Sequence, residues 1–275
     1  MVSQHSAQPI TSHPPFLRWA GSKRRLVPIL RSYWRHHYNR YLEPFAGSAC
    51  LFFSLNPPRA ILGDLNGELI STYMEVKYRL DGLLDQLSTL RRSRHEYKKL
   101  RSLNPDELNP CARAARFIYL NRCCFNGLYR TNLKGEFNVP YGGQKSGSVP
   151  SADLLRKCSK QLMKTRLVAG DFERVLGHAR KGDFIYMDPP FAVRARRVFN
   201  EYHPDTFQGE DINRLRLWLE KLDRRGISFL VSYAESAEAD ILARGFNRRC
   251  VSVRRNIAGF AADRSDSNEI LISNT

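Results

Sequence analysis

The sequence predicts an open α/β sheet, in which strands feed helices, and three observations support this fold class. Several short apolar runs end at Gly, Asp or Pro and are followed by amphipathic stretches. The chain has 275 residues, 42% of them hydrophobic, which is enough to bury one substantial core. The alternation of strand and helix stops between residues 75 and 151. We therefore predict one sheet built from both sides of an inserted module.

Seven apolar runs are candidate strands. The last three are joined by short connections, which favour an antiparallel end to the sheet. The predicted strands are residues 40–43, 60–63, 165–169, 183–187, 227–232, 250–254 and 269–273.

The inserted module differs from its flanks in composition. Its first part is Leu-rich with helical periodicity and many Arg and Lys, and residues 126–150 are rich in Gly, Asn and Pro. We expect a mainly helical domain at 75–151 between the two parts of a main domain, 16–74 and 152–275. Residues 1–15 are polar and contain Pro, which predicts a flexible N-terminal segment.

The charge balance indicates the class of partner. Lys and Arg number 44 against 27 Asp and Glu, a formal net charge of +17. Such an excess favours nucleic acid. Two alternatives remain open at this point: the charge keeps the protein soluble, or it attracts the protein to anionic membranes.

Cysteine usage and hydropathy indicate the compartment. The six cysteines form no CxxC pair, and no His lies at ligand spacing beside them, so we expect neither a metal nor a disulfide framework. The N-terminus has no apolar signal core and no 18-residue apolar run occurs, which predicts a reducing, cytoplasmic location without membrane association.

The first candidate site follows the first strand, in Glu43-Pro-Phe-Ala-Gly-Ser-Ala49. Gly47, between Phe45 and Ser48, would let the backbone approach a ligand closely at a strand-to-helix turn. Asp64 ends the next strand, where an acid in a nucleotide-binding sheet receives ribose hydroxyls. The pair suits an adenosyl cofactor, although an ordinary β-turn-α unit has similar residues. The absence of GxGxxG argues against a dinucleotide.

The second candidate site is Asp188-Pro189-Pro190-Phe191, at the end of another apolar run. The prolines fix the backbone, so that a carboxylate, a carbonyl and an aromatic face form a rigid row. A carboxylate and a carbonyl that accept both hydrogens of an aromatic amine would direct its lone pair toward a methyl donor. Phe191 would then stack on the base. A Pro-Pro turn with a buried Phe is the simpler alternative.

Two further segments carry candidate binding residues. Near the N-terminus, Trp19 offers a flat face for adenine and Lys23 a donor for a carboxylate or phosphate; a helix entry with a packed Trp is the alternative. In 121–142, Arg130 can pair with guanine, and Asn126 and Asn132 can serve bases or phosphates. Either Phe125 or Tyr129 could wedge into a base stack, and residues 134–136 suggest a hairpin tip. A solvated basic loop is the alternative there.

Together these motifs, in this order, resemble the Dam-type DNA adenine methylases, from about Phe16 to the C-terminus. The resemblance implies a Rossmann-like, seven-stranded methyltransferase sheet, with 75–151 as its target-recognition domain and the flanking parts as its catalytic domain. It implies S-adenosylmethionine as cofactor, held by Trp19, Lys23, Asp64 and Asp188 over the turn 43–48.

The resemblance extends to further residues. Asp171, followed by Phe172, matches an acidic position that reaches the cofactor's adenine. The residues that match base-discriminating positions of members reading GATC are Arg18, Leu128, Arg130 and Pro140.

Three departures from the family pattern stand out. Phe191 replaces the usual Tyr, which keeps the stacking face and loses a hydroxyl. Arg18 stands where many members have Lys, and its planar fork still matches guanine. Ala49 replaces the second glycine of the cofactor turn, where its methyl group would crowd the ligand.

The implied function is S-adenosylmethionine-dependent methylation of adenine N6 in duplex DNA, within GATC, by base flipping and direct in-line transfer. Methylation of the exocyclic amine of cytosine, an RNA methyltransferase and a non-catalytic DNA-binding regulator are the alternatives. We expect no metal and no obligate protein partner, and a bacterial, phage or mobile-element origin.

Overall fold

The structure is a computed structural model that describes residues 12–132, 135–190, 207–254 and 266–275. All seven predicted strands are present, and each lies within a few residues of its predicted bounds. They are β1 (Tyr41–Glu43), β2 (Ala60–Asp64), β3 (Thr165–Ala169), β4 (Phe184–Met187), β5 (Ser228–Ala234), β6 (Asn247–Arg254) and β7 (Asp266–Ser273).

The strands form one sheet in the order β3-β2-β1-β4-β5-β7-β6. The first five pair in parallel, and β7 is antiparallel to both β5 and β6. The predicted antiparallel end is therefore confirmed. Because β7 lies between β5 and β6, the last strand of the chain is an interior strand of the sheet.

Ten α-helices lie in the described ranges. Several begin at a side chain that caps the first turn; for example, the Asn66 carboxamide oxygen accepts from the Leu69 amide. The helices are α1 (Val27–Arg31), α2 (Cys50–Leu55), α3 (Gly67–Tyr78), α4 (Leu80–Ser88), α5 (Arg94–Ser102), α6 (Pro110–Cys123), α7 (Ala152–Leu162), α8 (Phe172–Leu176), α9 (Gly209–Arg224) and α10 (Ala237–Ala243).

Hydrophobic cores cover both faces of the sheet. In β4, Phe184 and Tyr186 point into one core while Ile185 and Met187 point into the other, as the alternation of a strand requires. The first core is filled from α1, α2, α3 and α7, and the second from α8, α9 and α10. Helices on both faces explain why the central strands are continuously apolar.

The inserted segment shares the first core and also has a small core of its own. The predicted boundary between residues 74 and 75 falls inside α3, which continues to Tyr78. Leu83 of α4 and Phe117 of α6 pack into the first core, whereas Tyr97 and Phe137 belong to the separate cluster. The division into catalytic and recognition domains stays a prediction.

Two predictions concern segments outside the sheet. In the predicted N-terminal segment, the described part includes His13, whose ring centroid lies 5.3 Å from that of Phe53. Among the described helices, none combines the length and apolar character needed to cross a bilayer.

The start of β4 is anchored by a buried ion pair. The Arg40 guanidinium donates from Nε to Asp183 Oδ1 (3.0 Å) and from a terminal nitrogen to Oδ2 (2.6 Å). Asp183 is only 1% exposed and also accepts from the Arg180 amide. This two-point contact fixes the chain immediately before β4, the strand that Asp188 follows.

We predict that Asp183→Ala lowers the free energy of unfolding by about 3 kcal/mol, because it leaves buried donors without their acceptor. Urea unfolding measures the change. Asp153→Ala is the matched control, since Asp153 forms an exposed pair with Lys157 and should change stability by about 0.5 kcal/mol or less. Equal losses in the two variants would contradict the anchoring role of Asp183.

Candidate cofactor and nucleic-acid site

The acidic residues singled out in the sequence lie along one edge of the sheet. Glu43 ends β1, Asp64 ends β2, Asp171 follows β3 and Asp188 follows β4. These four strands are parallel, so their carboxyl ends meet at the same edge. In open α/β sheets this edge is where ligands bind.

The turn after β1 is held by Asp64. Its Oδ2 accepts the Gly47 amide and its Oδ1 the Asn66 amide, both at 2.9 Å. The Tyr73 hydroxyl donates to the Gly47 carbonyl at 2.7 Å. Burial raises the pKa of Asp64, and the two amide donors oppose that rise. The carboxylate therefore orients both the Gly47 turn and the start of α3, and each oxygen keeps a second lone pair for a ligand.

The turn requires positive backbone φ angles at two positions. Gly47 has φ 46°, and Ala49, the departure from the family pattern, has φ 50° and ψ 41°. A left-handed non-glycine residue is strained by about 1–2 kcal/mol. The effect of Ala49 in this structure is therefore backbone strain at the N-terminus of α2, where its side chain is buried.

Trp19 lies between the turn and the inserted segment. A Cβ added to Gly47 would lie 2.8 Å from Trp19 Cδ1. The indole stacks on Tyr129 (centroids 5.7 Å apart, 16° between planes) and on Phe117 (6.5 Å, 27°). Phe117 and Tyr129 are 5.4 Å apart and so lie on the same side of the indole. The ring thus connects the two parts of the candidate site.

Asp188 lies in a cluster of buried polar groups. Lys23 Nζ is 2.9 Å from Asp188 Oδ1 and 3.4 Å from Glu269 Oε1. The Ser232 hydroxyl donates to the same Asp188 oxygen at 3.1 Å. Since Ser232 thereby gives away its one hydrogen, the Tyr186 hydroxyl donates to Ser232 Oγ at 2.9 Å. The contacts orient the Asp188 carboxylate from one side.

The charges in this cluster influence one another. Burial raises the pKa of Asp188 and the Lys23 ammonium opposes that rise. Burial alone would lower the pKa of Lys23, but the carboxylates of Asp188 and Glu269 raise it above its ordinary value. The Lys23 side chain is only 7% exposed, and within the described part of the chain these two carboxylates compensate its buried charge.

Glu43 and Ser48 lie beneath the turn. Glu43 is buried, and the Tyr41 hydroxyl donates to its Oε2 at 2.9 Å. Burial raises the pKa of Glu43 well above its ordinary value, and the hydrogen bond from Tyr41 opposes that rise. Ser48 is also buried, and its hydroxyl lies 3.3 Å from that of Ser22. Both residues support the turn from the protein side.

Aromatic and charged groups form the far end of the acidic edge. The rings of Phe45 and Phe172 stack with centroids 5.3 Å apart. Asp171 caps α8, and its Oδ1 accepts from the Glu173 amide and from the Arg214 guanidinium, both at 2.9 Å. Arg214 also lies over the Phe172 ring. An acidic acceptor beside paired aromatic rings suits a purine that carries an amine.

The row that follows β4 is described as far as Pro190. Pro189 is buried and Pro190 is exposed. Phe191, predicted to stack on the target base, lies outside the described residues.

The backbone of Arg18 is held by two hydrogen bonds to the Asn121 side chain. Its amide donates to Asn121 Oδ1 at 2.9 Å, and the Asn121 carboxamide donates to the Arg18 carbonyl at 2.6 Å. In the described part of the chain, the Arg18 Nη1 atom is buried without a hydrogen-bond partner. Gly127 packs on this side chain, since an added Cβ would be 2.6 Å from Arg18 Cβ. A guanidinium that packs on Gly127 and has an unused donor suits a guanine edge.

The two wedge candidates occupy different environments. Phe125 is 43% exposed, in a single helical turn (Phe125–Gly127) where Asn126 is left-handed with φ 56°. Tyr129 stacks on Trp19, and its hydroxyl donates to Glu68 Oε2 at 2.9 Å. Tyr129 is therefore engaged inside the protein, and the geometry favours Phe125 as the wedge.

The remaining recognition residues lie on a short hairpin. Antiparallel bridges join Thr131 to Phe137 and Cys124 to Tyr141, and the predicted tip includes Lys134, which lies outside the described residues. Arg130 Nε donates to Asn138 Oδ1 at 2.8 Å. Leu128 is half-buried, and the exposed Pro140 accepts the Phe125 amide through its carbonyl.

Asn132 has contacts within the same hairpin. Its carboxamide donates to Glu136 Oε2 at 2.7 Å and accepts the Glu136 amide at 3.0 Å. These bonds brace the hairpin, so its predicted contact with DNA would be in addition to a structural role.

Some residues of the site are not predicted by the sequence analysis. Ser232 and Glu269 are polar residues in apolar strands, a pattern that could have marked them. The others each contact a predicted residue that lies 8 to 103 positions away in the chain, and no local pattern indicates them. They are Tyr73, Asn121, Asn138 and Arg214.

Comparison with known proteins gives the family. Residues 19–257 match the family of D12 class N6 adenine-specific DNA methyltransferases. A type II methyltransferase of Lactococcus lactis subsp. cremoris is 35% identical over 94% of this chain and 95% of its own length. A DNA adenine methylase of Escherichia coli (strain K12) is 33% identical, covering 93% of both chains.

Among solved structures, a putative class I S-adenosylmethionine-dependent methyltransferase of Listeria monocytogenes has a TM-score of 0.41 and 10% identity, over 98% of this chain and 63% of that chain.

The family matches settle several alternatives that the sequence motifs left open. An adenine-specific family supports adenine rather than the cytosine amine as the acceptor, and a DNA methyltransferase family supports a DNA-modifying enzyme over an RNA methyltransferase or a non-catalytic regulator. Among the described residues, no group of three or more His, Cys, Asp or Glu is arranged to hold a metal ion. The chain belongs to the D12 class of N6 adenine-specific DNA methyltransferases and is an S-adenosylmethionine-dependent enzyme that acts on DNA.

Proposed function

We propose that this enzyme methylates adenine N6 within GATC in duplex DNA, after flipping the target base into the pocket at Asp188. The observation that carries the proposal is the position of Asp188. Its carboxylate lies at the end of β4, is oriented by Lys23 and Ser232, and shares the carboxyl edge of the sheet with the Gly47 turn. A methyl donor and an acceptor amine can therefore meet there.

The chain's own residues fit S-adenosylmethionine. Asp64 and Asp171 offer acceptors for hydroxyl and amine hydrogens, and the stacked rings of Phe45 and Phe172 suit a flat purine. Lys23 offers an ammonium for a carboxylate. The cofactor, when bound, supplies an electrophilic methyl group on a sulfonium. Trp19, Glu43 and Ser48 support the turn on which it would lie.

At the acceptor side, Asp188 and Pro189 prepare the amine. We assign one amine hydrogen to the Asp188 carboxylate and the other to the Pro189 carbonyl, which directs the nitrogen lone pair toward the methyl group. The carbonyl is fixed because Pro190 follows it. With the cofactor bound, direct in-line transfer to this nitrogen would leave one surplus N–H proton, and the Asp188 carboxylate is placed to accept it. No covalent link to the enzyme is required.

Site recognition is assigned to Arg18 and to the hairpin. Arg18 and Arg130 each present a guanidinium: the Arg18 side chain packs on Gly127, and Arg130 Nε donates to Asn138. Planar donors of this kind pair with the guanine O6 and N7 edge. The exposed Phe125 would fill the gap that the flipped adenine leaves. Asn126, Leu128, Asn132 and Pro140 complete the proposed DNA contacts.

We expect radiolabelled S-adenosylmethionine to label only N6-methyladenine, and only in duplexes that contain GATC. The assay compares a GATC duplex, a duplex with the same bases scrambled and the single GATC strand, followed by digestion and separation of nucleosides. Equal labelling of strand and duplex would refute the duplex requirement. Labelled adenine in the scrambled duplex would assign another site, which a sequencing map of methylated positions in unmethylated genomic DNA would define.

We predict that Gly47→Ala weakens cofactor binding about 10-fold or more. The new methyl group meets the fixed Trp19 ring at 2.8 Å, and the backbone at φ 46° strains any residue but glycine. Isothermal titration calorimetry measures the dissociation constant. Gly67→Ala is the matched control, because a Cβ there has no atom within 4 Å. Equal affinities in the two variants would place the cofactor elsewhere.

We predict that Arg130→Ala costs about 1–3 kcal/mol of discrimination at one guanine, and that Asn138→Ala costs less because it frees the guanidinium without removing it. Methylation rates on cognate and singly changed duplexes give the discrimination. Arg156→Ala, an exposed change of equal charge on α7, should leave the ratios unchanged. Ratios that stay the same in Arg130→Ala would disprove its base contact.

A further inference from the structure

Glu269 is a buried carboxylate to which the proposed reaction assigns no role. It lies on β7, opposite Ala234 of β5 and Val251 of β6, and is 3% exposed. Its Oε1 is 3.4 Å from Lys23 Nζ. Burying a carboxylate is costly unless a charge partner compensates it, and the buried ammonium of Lys23 is such a partner.

Ser232 approaches Asp188 from the neighbouring strand. Met187 of β4 is paired with Val231 of β5, so the next residues, Asp188 and Ser232, are side by side. Ser232 Oγ lies 3.1 Å from Asp188 Oδ1, the same oxygen that contacts Lys23. Two donors on Oδ1 fix the rotation of the carboxylate, so the proposed acceptor of the amine hydrogen is Oδ2.

We infer that Glu269 and Ser232 are positioning residues for methyl transfer, Glu269 acting through Lys23 and Ser232 directly on Asp188. This inference rests on the proposed role of Asp188 as acceptor of an amine hydrogen. Glu269 holds the ammonium against Oδ1, and Ser232 supplies the second donor to that oxygen. The amine then meets a carboxylate whose orientation is set before the base arrives.

Glu269 also sets the charge of the cluster. Among the described residues of this cluster, one ammonium, that of Lys23, faces two carboxylates, those of Asp188 and Glu269, so these three side chains together carry a net negative charge. During transfer the carbon–sulfur bond breaks with its electron pair on sulfur, and the nitrogen lone pair forms the new bond. Positive charge moves to the nitrogen until its surplus proton passes to Asp188, and a negative cluster stabilises it.

Glu269 and Ser232 have opposite effects on the pKa of Asp188. Burial raises its pKa most, Lys23 lowers it, Glu269 raises it and the Ser232 hydrogen bond lowers it. Burial also raises the pKa of Glu43 well above its ordinary value and that of Cys50 to about 12. The described groups that face Asp188 are Lys23 before α1, Glu43 on β1, Cys50 on α2, Tyr186 on β4, Ser232 on β5 and Glu269 on β7.

The test compares Glu269→Gln with Ser232→Ala. Carbon-13 labelling of aspartate carboxyl groups, with Asp188→Asn to assign the signal, gives the titration of Asp188 without any substrate. The single-turnover rate of methyl transfer to unmethylated mixed-sequence DNA gives its pH profile. We expect Glu269→Gln to move the Asp188 titration and the acidic limb of the profile to lower pH, and Ser232→Ala to move both to higher pH. At the plateau, each rate falls about 10- to 100-fold.

Glu220→Gln is the matched control, since Glu220 pairs with Arg216 on the surface of α9; its titration and rate should equal those of the unmodified enzyme. Limbs that move in the same direction, an unchanged Asp188 titration, or plateau rates equal to the control would each overturn the inference. Mixed-sequence DNA separates this result from the site preference: if a GATC duplex is not labelled but mixed DNA is, GATC specificity fails and the comparison of variants still decides the role of Glu269 and Ser232.

Discussion

The buried ammonium of Lys23 is the contact on which the site depends most. It joins three parts of the chain that are far apart in sequence: the segment before α1, the end of β4 at Asp188 and the last strand at Glu269. A buried charge is retained only where opposite charges surround it, so the position of each part is fixed by the other two. The position of β7 beside β5 is therefore a requirement of the site as well as of the fold.

Trp19 gives the second connection, between the cofactor turn and the recognition segment. Its ring packs against Gly47 on one part of the chain and stacks on Tyr129 on the other. Tyr129 in turn bonds Glu68, at the start of the helix that follows Asp64. Because the inserted segment also shares the first core with the sheet-side helices, a shift of the hairpin would disturb the turn. The proposed cofactor turn and the proposed recognition hairpin are therefore coupled through packed side chains.

Sequence patterns predict the strands well and the side-chain network poorly, for a physical reason. Strands that are covered on both faces must be continuously apolar, so their positions are visible locally, and the acids that follow them are visible too. Ser232 reaches Asp188 only because of the register between β4 and β5, and Glu269 reaches Lys23 only because β7 lies between β5 and β6. Register and strand order are long-range properties, and no local spacing encodes them.

The same reasoning explains how the two wedge candidates are distinguished. Phe125 and Tyr129 are both aromatic residues of one segment, and the sequence alone does not show which of them would enter a base stack. The fold distinguishes them. The Tyr129 hydroxyl donates to Glu68 and its ring stacks on Trp19. Phe125, by contrast, stays exposed on the turn where Asn126 is left-handed. An exposed aromatic ring on a braced turn gains contacts only when something binds there. Phe125, which does not pack inside the protein, is thus the ring that we propose to contact DNA.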